Sequence, residues 1–393
     1  MKILIMGLPG SGKTTLAEAL AKELQLLSPE IEISGLGSSK MRASGVEIVA
    51  DVSARSTIGF VEPIRHLFFF LNLWRKLKKL FKENPPDILV LIDFQGFNLP
   101  LANFAKKQGI RTVYFIPPQE WIWGSKRGTS DVVKYSDLII SVFKPCAEFY
   151  QKNGGKVVFV GHPLLDLVKP TASLNPLDLA SAPLNPPKVG GDNADSSELL
   201  VGLFPGSRHQ EIESLLPVML KLAKHNPTCN FAISVASSVL KTLIEQHLSS
   251  PHFGGIKGGR CIRLVENAPY ELMNSADLII SSSGTTTLEA AILQKPMVVI
   301  YKLSVATWFI AKNIFKMKPK FIALPNILAD AKVVPEFILN WPKAEAEMLA
   351  TTQTLIDSKA ERVKMAENLA AVKESLGEPG AIKRAAAEIL KIS

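Results

Sequence analysis

The 393-residue sequence predicts an α/β protein with two doubly wound, parallel-sheet domains facing a cleft. Short apolar runs alternate with longer helical patterns over residues 1–168, and the same alternation restarts over residues 199–341. Between them, residues 169–198 are rich in Pro, Ser, Asn and Gly and are predicted to be a flexible linker or insertion. Residues 342–393 are predicted to form C-terminal helices, interrupted near Gly377–Gly380.

The apolar runs predict the strands in order. In the first half they are ILIM (3–6), IEISGL (31–36), DILVLID (87–93), TVYFI (112–116), LIISV (138–142) and KVVFVG (156–161). In the second half they are LLVGLFPG (199–206), NFAISVA (230–236), CIRLV (261–265), LIISSS (278–283) and PMVVIY (296–301). Rossmann-like sheets of this kind bind ligands beyond the carboxyl ends of their strands, so the loops after these runs are the candidate sites.

The composition is that of a globular protein with an affinity for anions. Hydrophobic residues make up 47% and charged residues 21% of the chain, and the net charge is +9. The three cysteines are scattered without a CxxC pair, which gives no indication of a disulfide framework or a zinc site and favours a reducing cytoplasm. No apolar stretch approaches the roughly 20 residues of a spanning helix. Nucleic acid is not predicted as a partner, because no recognition motif accompanies the charge.

Residues 7–14, GLPGSGKT, fit the phosphate-binding pattern G-x-x-x-x-G-K-[ST] and lie between a predicted strand and a predicted helix. The residues that would contact phosphate or its metal are Gly10, Ser11, Gly12, Lys13 and Thr14. Asp93, at the end of a buried apolar run, could position magnesium, as a P-loop enzyme requires. This pattern predicts an ATP- or GTP-dependent kinase or hydrolase. The alternative is a Gly-rich turn that only joins a strand to a helix.

Two motifs of the second half have the character of anion sites. In LFPGSRHQEIE (203–213) a strand is followed by Gly206 and Ser207, whose amides attract phosphate at a helix start, and by the guanidinium of Arg208. The alternative for Arg208 is an exposed arginine without a ligand.

The stretch ADLIISSSGTTTLEAAILQKPMVVIY (276–301) resembles the nucleotide-sugar site of two-Rossmann (GT-B) glycosyltransferases. Its candidate ligands are Ser283, Gly284, Thr285, Thr286 and, one turn inside the helix, Glu289. In that class the helix start faces the diphosphate and a carboxylate holds the ribose. An ordinary βαβ unit with a Ser/Thr cap is the alternative.

Taken together, segments from nearly the whole chain resemble the lipid-A-disaccharide synthase family. The segments are SGLGSSKMRASGVE (34–47), STIGFVEPI (56–64), DILVLIDFQGFN (87–98), PPQEWIWGSKR (117–127), VFVGHPLLD (158–166), LFPGSRHQEIE (203–213), SSSGTTTLEAAILQKPMVVIYKLS (281–304) and IALPNILAD (322–330). The resemblance implies a bacterial GT-B enzyme. It would transfer 2,3-diacylglucosamine from UDP to 2,3-diacylglucosamine 1-phosphate, with inversion, to give the lipid A disaccharide 1-phosphate and UDP.

The resemblance also implies roles for individual residues. Asp93 matches the family's Ile-Asp motif and would take the proton of the acceptor hydroxyl, the alternative being a structural aspartate that caps the next loop. Asn326, in LPN, matches a position near the donor. Neither a cofactor nor a metal is expected, because fixed donors would meet the charge of the leaving UDP.

The sequence departs from the family at two places. The usual Gly-Glu-x-Ser-Gly-Asp loop lacks its acidic residues here, and Gln95–Gly96 replaces a Pro-Asp pair after Asp93. A non-catalytic relative of the synthase is therefore a further alternative. In the acceptor domain that the resemblance implies, residues 7–14 would hold the 1-phosphate of the acceptor in place of ATP.

The segment RHLFFFLNLWRKLKKLFK (65–82) contains six Lys or Arg residues and no acidic residue. Its apolar residues recur at helical spacing, which predicts a basic amphipathic helix on an anionic membrane or, equally, a core-packed helix with a solvated face. The residues predicted to meet the membrane are Phe68, Phe69, Trp74, Arg75, Lys76, Lys78 and Lys79. We therefore expect a cytoplasmic protein that lies peripherally on the inner face of the cytoplasmic membrane.

Overall fold

The computed structural model describes residues 1–7, 13–37, 41–42, 45–51, 63–123, 126–170, 199–250, 262–302 and 320–392. Residues 8–12 of the Gly-rich segment and residues 171–198 of the predicted linker lie outside this range. The chain divides into two units. Unit 1 consists of Met1–Leu167 and Ser375–Ser393, and unit 2 consists of Val168–Glu374.

Unit 1 contains a seven-stranded parallel sheet in the order β3-β2-β1-β4-β5-β6-β7. Its elements up to residue 167 are β1 (Lys2–Gly7), α1 (Lys13–Leu27), β2 (Glu32–Gly37), β3 (Glu47–Asp51), α2 (Pro63–Glu83), β4 (Ile88–Ile92), α3 (Gln95–Lys107), β5 (Arg111–Phe115), α4 (Glu120–Trp123), α5 (Lys126–Tyr135), β6 (Leu138–Ser141), α6 (Lys144–Lys152), β7 (Val157–Phe159) and α7 (Leu164–Leu167).

Unit 2 contains a six-stranded parallel sheet in the order β10-β9-β8-β11-β12-β13. Its elements are β8 (Leu200–Phe204), α8 (His209–His225), β9 (Asn230–Val235), α9 (Ser238–Ser249), β10 (Arg263–Glu266), α10 (Pro269–Ser275), β11 (Leu278–Ser282), α11 (Thr285–Ile292), β12 (Met297–Tyr301), α12 (Leu324–Ala329), β13 (Glu336–Ile338), α13 (Pro342–Asp357) and α14 (Lys359–Ser375). The last helix, α15 (Ala381–Leu390), belongs to unit 1.

Both sheets confirm the predicted doubly wound class. The central strands read as continuous apolar runs because helices cover both faces of a parallel sheet; every residue of β4, for example, is fully buried. In each unit the strand order reverses at the first strand, between β1 and β4 and between β8 and β11. Ligands bind at such switch points in doubly wound sheets, so the loops after these four strands position the candidate sites.

All eleven predicted strands are present, and the two edge strands β3 and β13 are additional. The return of α15 to unit 1 was not predicted. It contacts α1, and its Arg384 guanidinium donates from Nε and Nη2 to the Val160 carbonyl oxygen at 2.9 and 2.7 Å. None of the described helices combines the length and the apolar character that crossing a membrane requires.

Candidate functional site

In unit 1, Asp93 follows the fully buried strand β4 at the switch point. The register pairs Gly7 of β1 with Ile92 of β4, so residues 8–14 and Asp93 continue from adjacent strand ends. Lys13 and Thr14 form the start of α1, and Gly10, Ser11 and Gly12 lie outside the described residues. The fold thus places the start of the Gly-rich segment beside the candidate base.

The backbone at Asp93 is in an uncommon conformation. Asp93 has φ 51° and Phe94 has φ 46°, so two consecutive non-glycine residues are left-handed. Such conformations cost about 1–2 kcal/mol per residue, less for Asp, and persist where the surroundings hold them. The Asp93 carbonyl oxygen accepts hydrogen bonds from Asn98 Nδ2 at 2.7 Å and from the Tyr114 hydroxyl at 3.0 Å. The turn after β4 is therefore held by neighbouring side chains.

Gln95, one of the two residues that depart from the family pattern, forms a hydrogen bond with another segment of unit 1. Gln95 Nε2 donates to Glu120 Oε1 at 2.7 Å, and Glu120 is buried at the start of α4. A Cβ at Gly128 would lie 2.1 Å from the same carboxylate oxygen, so any side chain at this position would displace the Glu120 carboxylate. Gly96, by contrast, has open space around it. The departure from the family pattern at Gln95–Gly96 therefore links the Asp93 turn to the segment after β5.

In unit 2 the loop after β8 is organised around a carboxylate. Gly206 has φ +112°, and a Cβ there would lie 2.2 Å from Glu211 Oε2. That oxygen accepts from the Ser207 amide at 3.0 Å and the Arg208 amide at 3.3 Å, while Oε1 accepts from Arg208 Nη1 at 2.8 Å. The Arg208 side chain is 74% exposed. The Glu211 carboxylate thus occupies the Ser207 and Arg208 amides, and the exposed guanidinium of Arg208 is the group of this loop that an anion in solvent can reach.

The loop after the adjacent strand β11 begins α11. Thr287 Oγ1 donates to the Gly284 carbonyl at 2.8 Å, while Ser283 and Thr286 are half-buried and Gly284 and Thr285 are exposed. Glu289 is half-buried, and its Oε1 accepts from the Tyr270 hydroxyl at 3.2 Å. Burial raises the pKa of Glu289, and the hydrogen bond from Tyr270 opposes that rise. The register of β8 with β11 brings this helix start beside the Arg208 loop.

Asn326 has its side chain in the protein interior. Its Oδ1 accepts from the amides of Val333 and Val334 at 2.8 and 2.9 Å, and its Nδ2 donates to the Val334 carbonyl at 2.9 Å. Asn326 is fully buried. Asn326 therefore shapes the loop between α12 and β13, and its place in the UDP-sugar site stays a prediction.

Sequence reasoning missed the supporting carboxylates. Glu211 organises the Arg208 loop, and Glu336 accepts from the amides of Ile322 and Ala323 at the start of α12, at 2.7 Å for Ala323. A carboxylate in the first turn of a helix, as at Glu211, is a signal that could have been used. The hydrogen bonds of Glu336 join two separate segments of the chain, so no local sequence pattern could have predicted them.

The predicted membrane helix α2 packs its apolar stripe against protein. Leu73, Leu77 and Phe81 are buried, and the Trp74 ring lies 5.8 Å from that of Phe97 and 5.9 Å from that of Phe104, both on α3. The core-packed alternative therefore describes this face. The side chain of Phe68 lies outside the described residues, and Phe69 is half-buried. The basic residues Arg75, Lys76, Lys78 and Lys79 are exposed, and the Lys78 ammonium lies over the rings of Trp74 and Phe104, at 5.6 and 5.8 Å from their centroids.

The comparisons with known proteins agree along the whole chain. Residues 3–390 match the family described as lipid-A-disaccharide synthetase. The lipid-A-disaccharide synthase of Geobacter metallireducens is 36% identical over 377 residues, covering 95% of this chain and 92% of the relative. That of Synechocystis sp. is 32% identical over 386 residues, covering 96% and 93%.

Solved structures with the same fold are more distant in sequence. A UDP-GlcNAc 2-epimerase from Neisseria meningitidis, bound to UDP-GlcNAc, has a TM-score of 0.59 at 14% identity, with both chains fully covered. The spinosyn rhamnosyltransferase SpnG has a TM-score of 0.58 at 13% identity, also with full coverage of both chains. At these identities the likeness establishes the fold alone, which is the GT-B class with two Rossmann-like domains.

Proposed function

This chain belongs to the lipid-A-disaccharide synthase family, and from that premise we propose that it joins UDP-2,3-diacylglucosamine to 2,3-diacylglucosamine 1-phosphate. The membership confirms the predicted class of activity, a hexosyltransferase of lipid A disaccharide synthesis that uses a nucleotide sugar and a lipid acceptor. The kinase or hydrolase interpretation of residues 7–14, and that of a non-catalytic relative, receive no support from the relatives.

The proposed base is Asp93, and its place at the carboxyl end of central strand β4 carries this proposal. Its carboxylate takes the proton of the acceptor hydroxyl as that oxygen forms a bond to the anomeric carbon of the donor. The bond from the anomeric carbon to the UDP oxygen breaks, and UDP leaves with the electron pair. A single displacement of this kind inverts the anomeric centre.

The proposed UDP site is the pair of loops at the switch point of unit 2. Arg208 meets the charge that develops on the diphosphate, together with the start of α11 at Thr285, and the backbone at Gly206 and Ser207 contributes its amides where the diphosphate displaces the Glu211 carboxylate from Ser207. The Glu289 carboxylate accepts hydrogen bonds from the ribose hydroxyls. Ser283, Gly284 and Thr286 complete the turn that brings the donor to this helix start.

The proposed acceptor-phosphate site is the Gly-rich segment of unit 1. Residues 8–14 continue from β1 at the strand end adjacent to Asp93, and the segment ends with Lys13 and Thr14 in the first turn of a 15-residue helix. Amides at such a helix start attract phosphate, and Lys13 supplies a positive charge. A phosphate held here would bring the acceptor close to the base.

The proposed location is the inner face of the cytoplasmic membrane, with the basic face of α2 as the contact. Arg75, Lys76, Lys78 and Lys79 are exposed on one helix, and each basic residue near an anionic surface contributes about 1 kcal/mol. Leu71, which is 45% exposed, adds an apolar contact on the same helix. Because Trp74 packs against α3, we propose that electrostatic attraction, and not the insertion of aromatic side chains, contributes most to membrane binding.

The test is disaccharide and UDP formation by purified enzyme from the two lipid substrates. Asp93→Asn should lower kcat by roughly 10²- to 10⁴-fold, the usual contribution of a general base. Asp87→Asn is the matched control, because Asp87 precedes the same strand and accepts from the Lys2 amide at 2.7 Å. Full activity of Asp93→Asn would exclude Asp93 as the base. Magnesium-dependent ATP turnover without sugar transfer would overturn the proposed reaction.

A further inference from the structure

The turn after β4 is fixed on both sides of the Asp93 α-carbon. On one side, the Asp93 amide donates to the Phe115 carbonyl oxygen at 3.3 Å. On the other, the Asp93 carbonyl oxygen accepts from Tyr114 and Asn98. Because both peptide planes that flank the α-carbon are anchored, the direction of the Cα–Cβ bond is determined. The carboxylate therefore starts from a fixed point, although its backbone is left-handed.

Within the described part of the chain, the side-chain amide of Asn98 forms hydrogen bonds through its nitrogen and not through its oxygen. Its Nδ2 donates to the carbonyl oxygens of both Ile92 and Asp93, at 3.2 and 2.7 Å. Its Oδ1 is buried and has no hydrogen-bond partner among the described residues. Turning the amide over would place Oδ1 against two carbonyl oxygens, so this orientation is the only favourable one. The buried acceptor is left without a partner while the carbonyl of Asp93 is held.

Tyr114 contributes a hydroxyl from the adjacent strand β5. It is fully buried, and its hydroxyl reaches the Asp93 carbonyl across the sheet. Burial, and secondarily the charge of Asp93, raises the pKa of Tyr114, so the hydroxyl stays protonated and remains a donor. Its bond and that of Asn98 converge on one oxygen atom.

We infer that Tyr114 and Asn98 are positioning residues that hold the Asp93 backbone in its left-handed turn and thereby aim the carboxylate at the acceptor hydroxyl. Neither side chain touches substrate in this scheme. The inference rests on the proposed role of Asp93 as the base. Small misplacements of a reacting group are costly, since a shift of about 1 Å can lower a rate roughly 100-fold.

The first test is Tyr114→Phe, which removes one oxygen atom and keeps the ring. We expect kcat to fall about tenfold while KM for both substrates changes less than about twofold, because binding does not depend on the aim of the base. Asn98→Ala should act in the same direction and serves as the second variant if Tyr114→Phe folds poorly. Tyr150→Phe is the matched control, since its buried hydroxyl donates to the Pro118 carbonyl at 2.8 Å. It should lower stability similarly and leave kcat within twofold.

A double-mutant cycle separates positioning from a structural role. In the Asp93→Asn background, Tyr114→Phe should lower the residual rate by less than twofold, because no base remains to be aimed. An equal tenfold loss in both backgrounds, or an unchanged kcat in Tyr114→Phe and Asn98→Ala, would overturn the inference. If Asp93→Asn alone retains full activity, the proposal that Asp93 is the base is wrong. This outcome can be distinguished from a failure of the positioning inference.

Discussion

The switch-point loops of the two units share one topology and have opposite chemistry. In unit 1, neutral donors from Asn98 and Tyr114 hold a carbonyl oxygen, and the residue that they hold carries a carboxylate. In unit 2, the Glu211 carboxylate holds backbone amides, and the residue that it holds carries a guanidinium. In the proposed function, the first loop presents the acid–base group and the second receives the anion.

Under that proposal, the difference divides one architecture between two tasks. The strand order around each switch point is the same, so the sheet itself does not decide which ligand is bound. The ligand is instead determined by a few side chains behind each loop, because these side chains fix the backbone conformation and the charge that faces solvent. The predictions below are arranged to test this division, beginning with the largest expected effect.

Charge reversal on α2 should separate the membrane contact of unit 1 from the overall positive charge. Replacing Lys76, Lys78 and Lys79 with Glu should weaken binding to anionic vesicles at low salt by about 3 kcal/mol or more, roughly 100-fold. Vesicle co-sedimentation measures the effect. The control reverses three exposed lysines of unit 2, Lys343, Lys359 and Lys364. Equal losses in both variants would show that net charge alone attracts the protein.

Arg208→Ala should weaken the binding of the UDP-sugar and leave the binding of the acceptor unchanged. A hydrogen bond to a charged group contributes about 1.5–3 kcal/mol, so KM for the UDP-sugar should rise roughly 10- to 150-fold. KM for the acceptor should stay within about twofold. Steady-state kinetics with each substrate varied in turn measures both constants, and Arg111→Ala in unit 1 is the control. A rise in the acceptor KM instead would contradict the assignment of the anion site to unit 2.

Acid should destabilise unit 1 through His162. Burial lowers the pKa of His162 to about 4, and its Nδ1 accepts from the Leu164 amide at 3.2 Å, which a proton there would prevent. The folded-state pKa lies below the unfolded value of about 6.5. The stabilisation is therefore complete above pH 6.5 and is lost as the pH falls towards 4, at about 2–3 kcal/mol.

Urea unfolding at pH 7.5 and 4.5 measures this loss. His162→Gln should show a drop in unfolding free energy smaller by about 2 kcal/mol than the wild-type drop. His225→Gln, a change on the surface of unit 2, should keep the wild-type drop. An unchanged drop in His162→Gln would show that other groups account for the acid sensitivity of unit 1.

Lys13→Ala should have the smallest effect and should affect the acceptor. A solvent-accessible ion pair contributes about 1 kcal/mol, so KM for the acceptor should rise about fivefold with little change for the UDP-sugar. Lys22→Ala is the control on the same helix, where Lys22 pairs with Glu18 at 2.9 Å. An unchanged acceptor KM would reduce the Gly-rich segment to a connection between β1 and α1.

The central strands could be predicted because burial on both faces leaves continuous apolar runs. The edge strands β3 and β13 could not, since EIVAD and EFI are short, partly exposed and begin with a charged residue. The candidate residues at the strand ends followed from motif and resemblance. The side chains that support these candidate residues could not be predicted, because Tyr114 is 21 residues from Asp93 and Glu336 is 14 residues from Ile322. Such contacts exist only after the sheet has formed.

Trp74 illustrates a further limit of pattern reasoning. Helical spacing identified an apolar stripe on α2, and the stripe is present. Whether such a stripe contacts lipid or protein depends on what lies opposite, here Phe97 and Phe104 of α3. The periodicity of a helix contains no information on its neighbour, so both alternatives fitted the sequence equally.

The attachment of α15 to unit 1 has a consequence for biosynthesis. The segment that completes this unit, held by Arg384 on the Val160 carbonyl, is synthesised only after the whole of unit 2. Unit 2 is contiguous from Val168 to Glu374 and can fold while translation continues, whereas unit 1 waits for α15. The first half of the nascent chain therefore remains incomplete while unit 2 is synthesised, and any premature stop before residue 375 leaves it without α15.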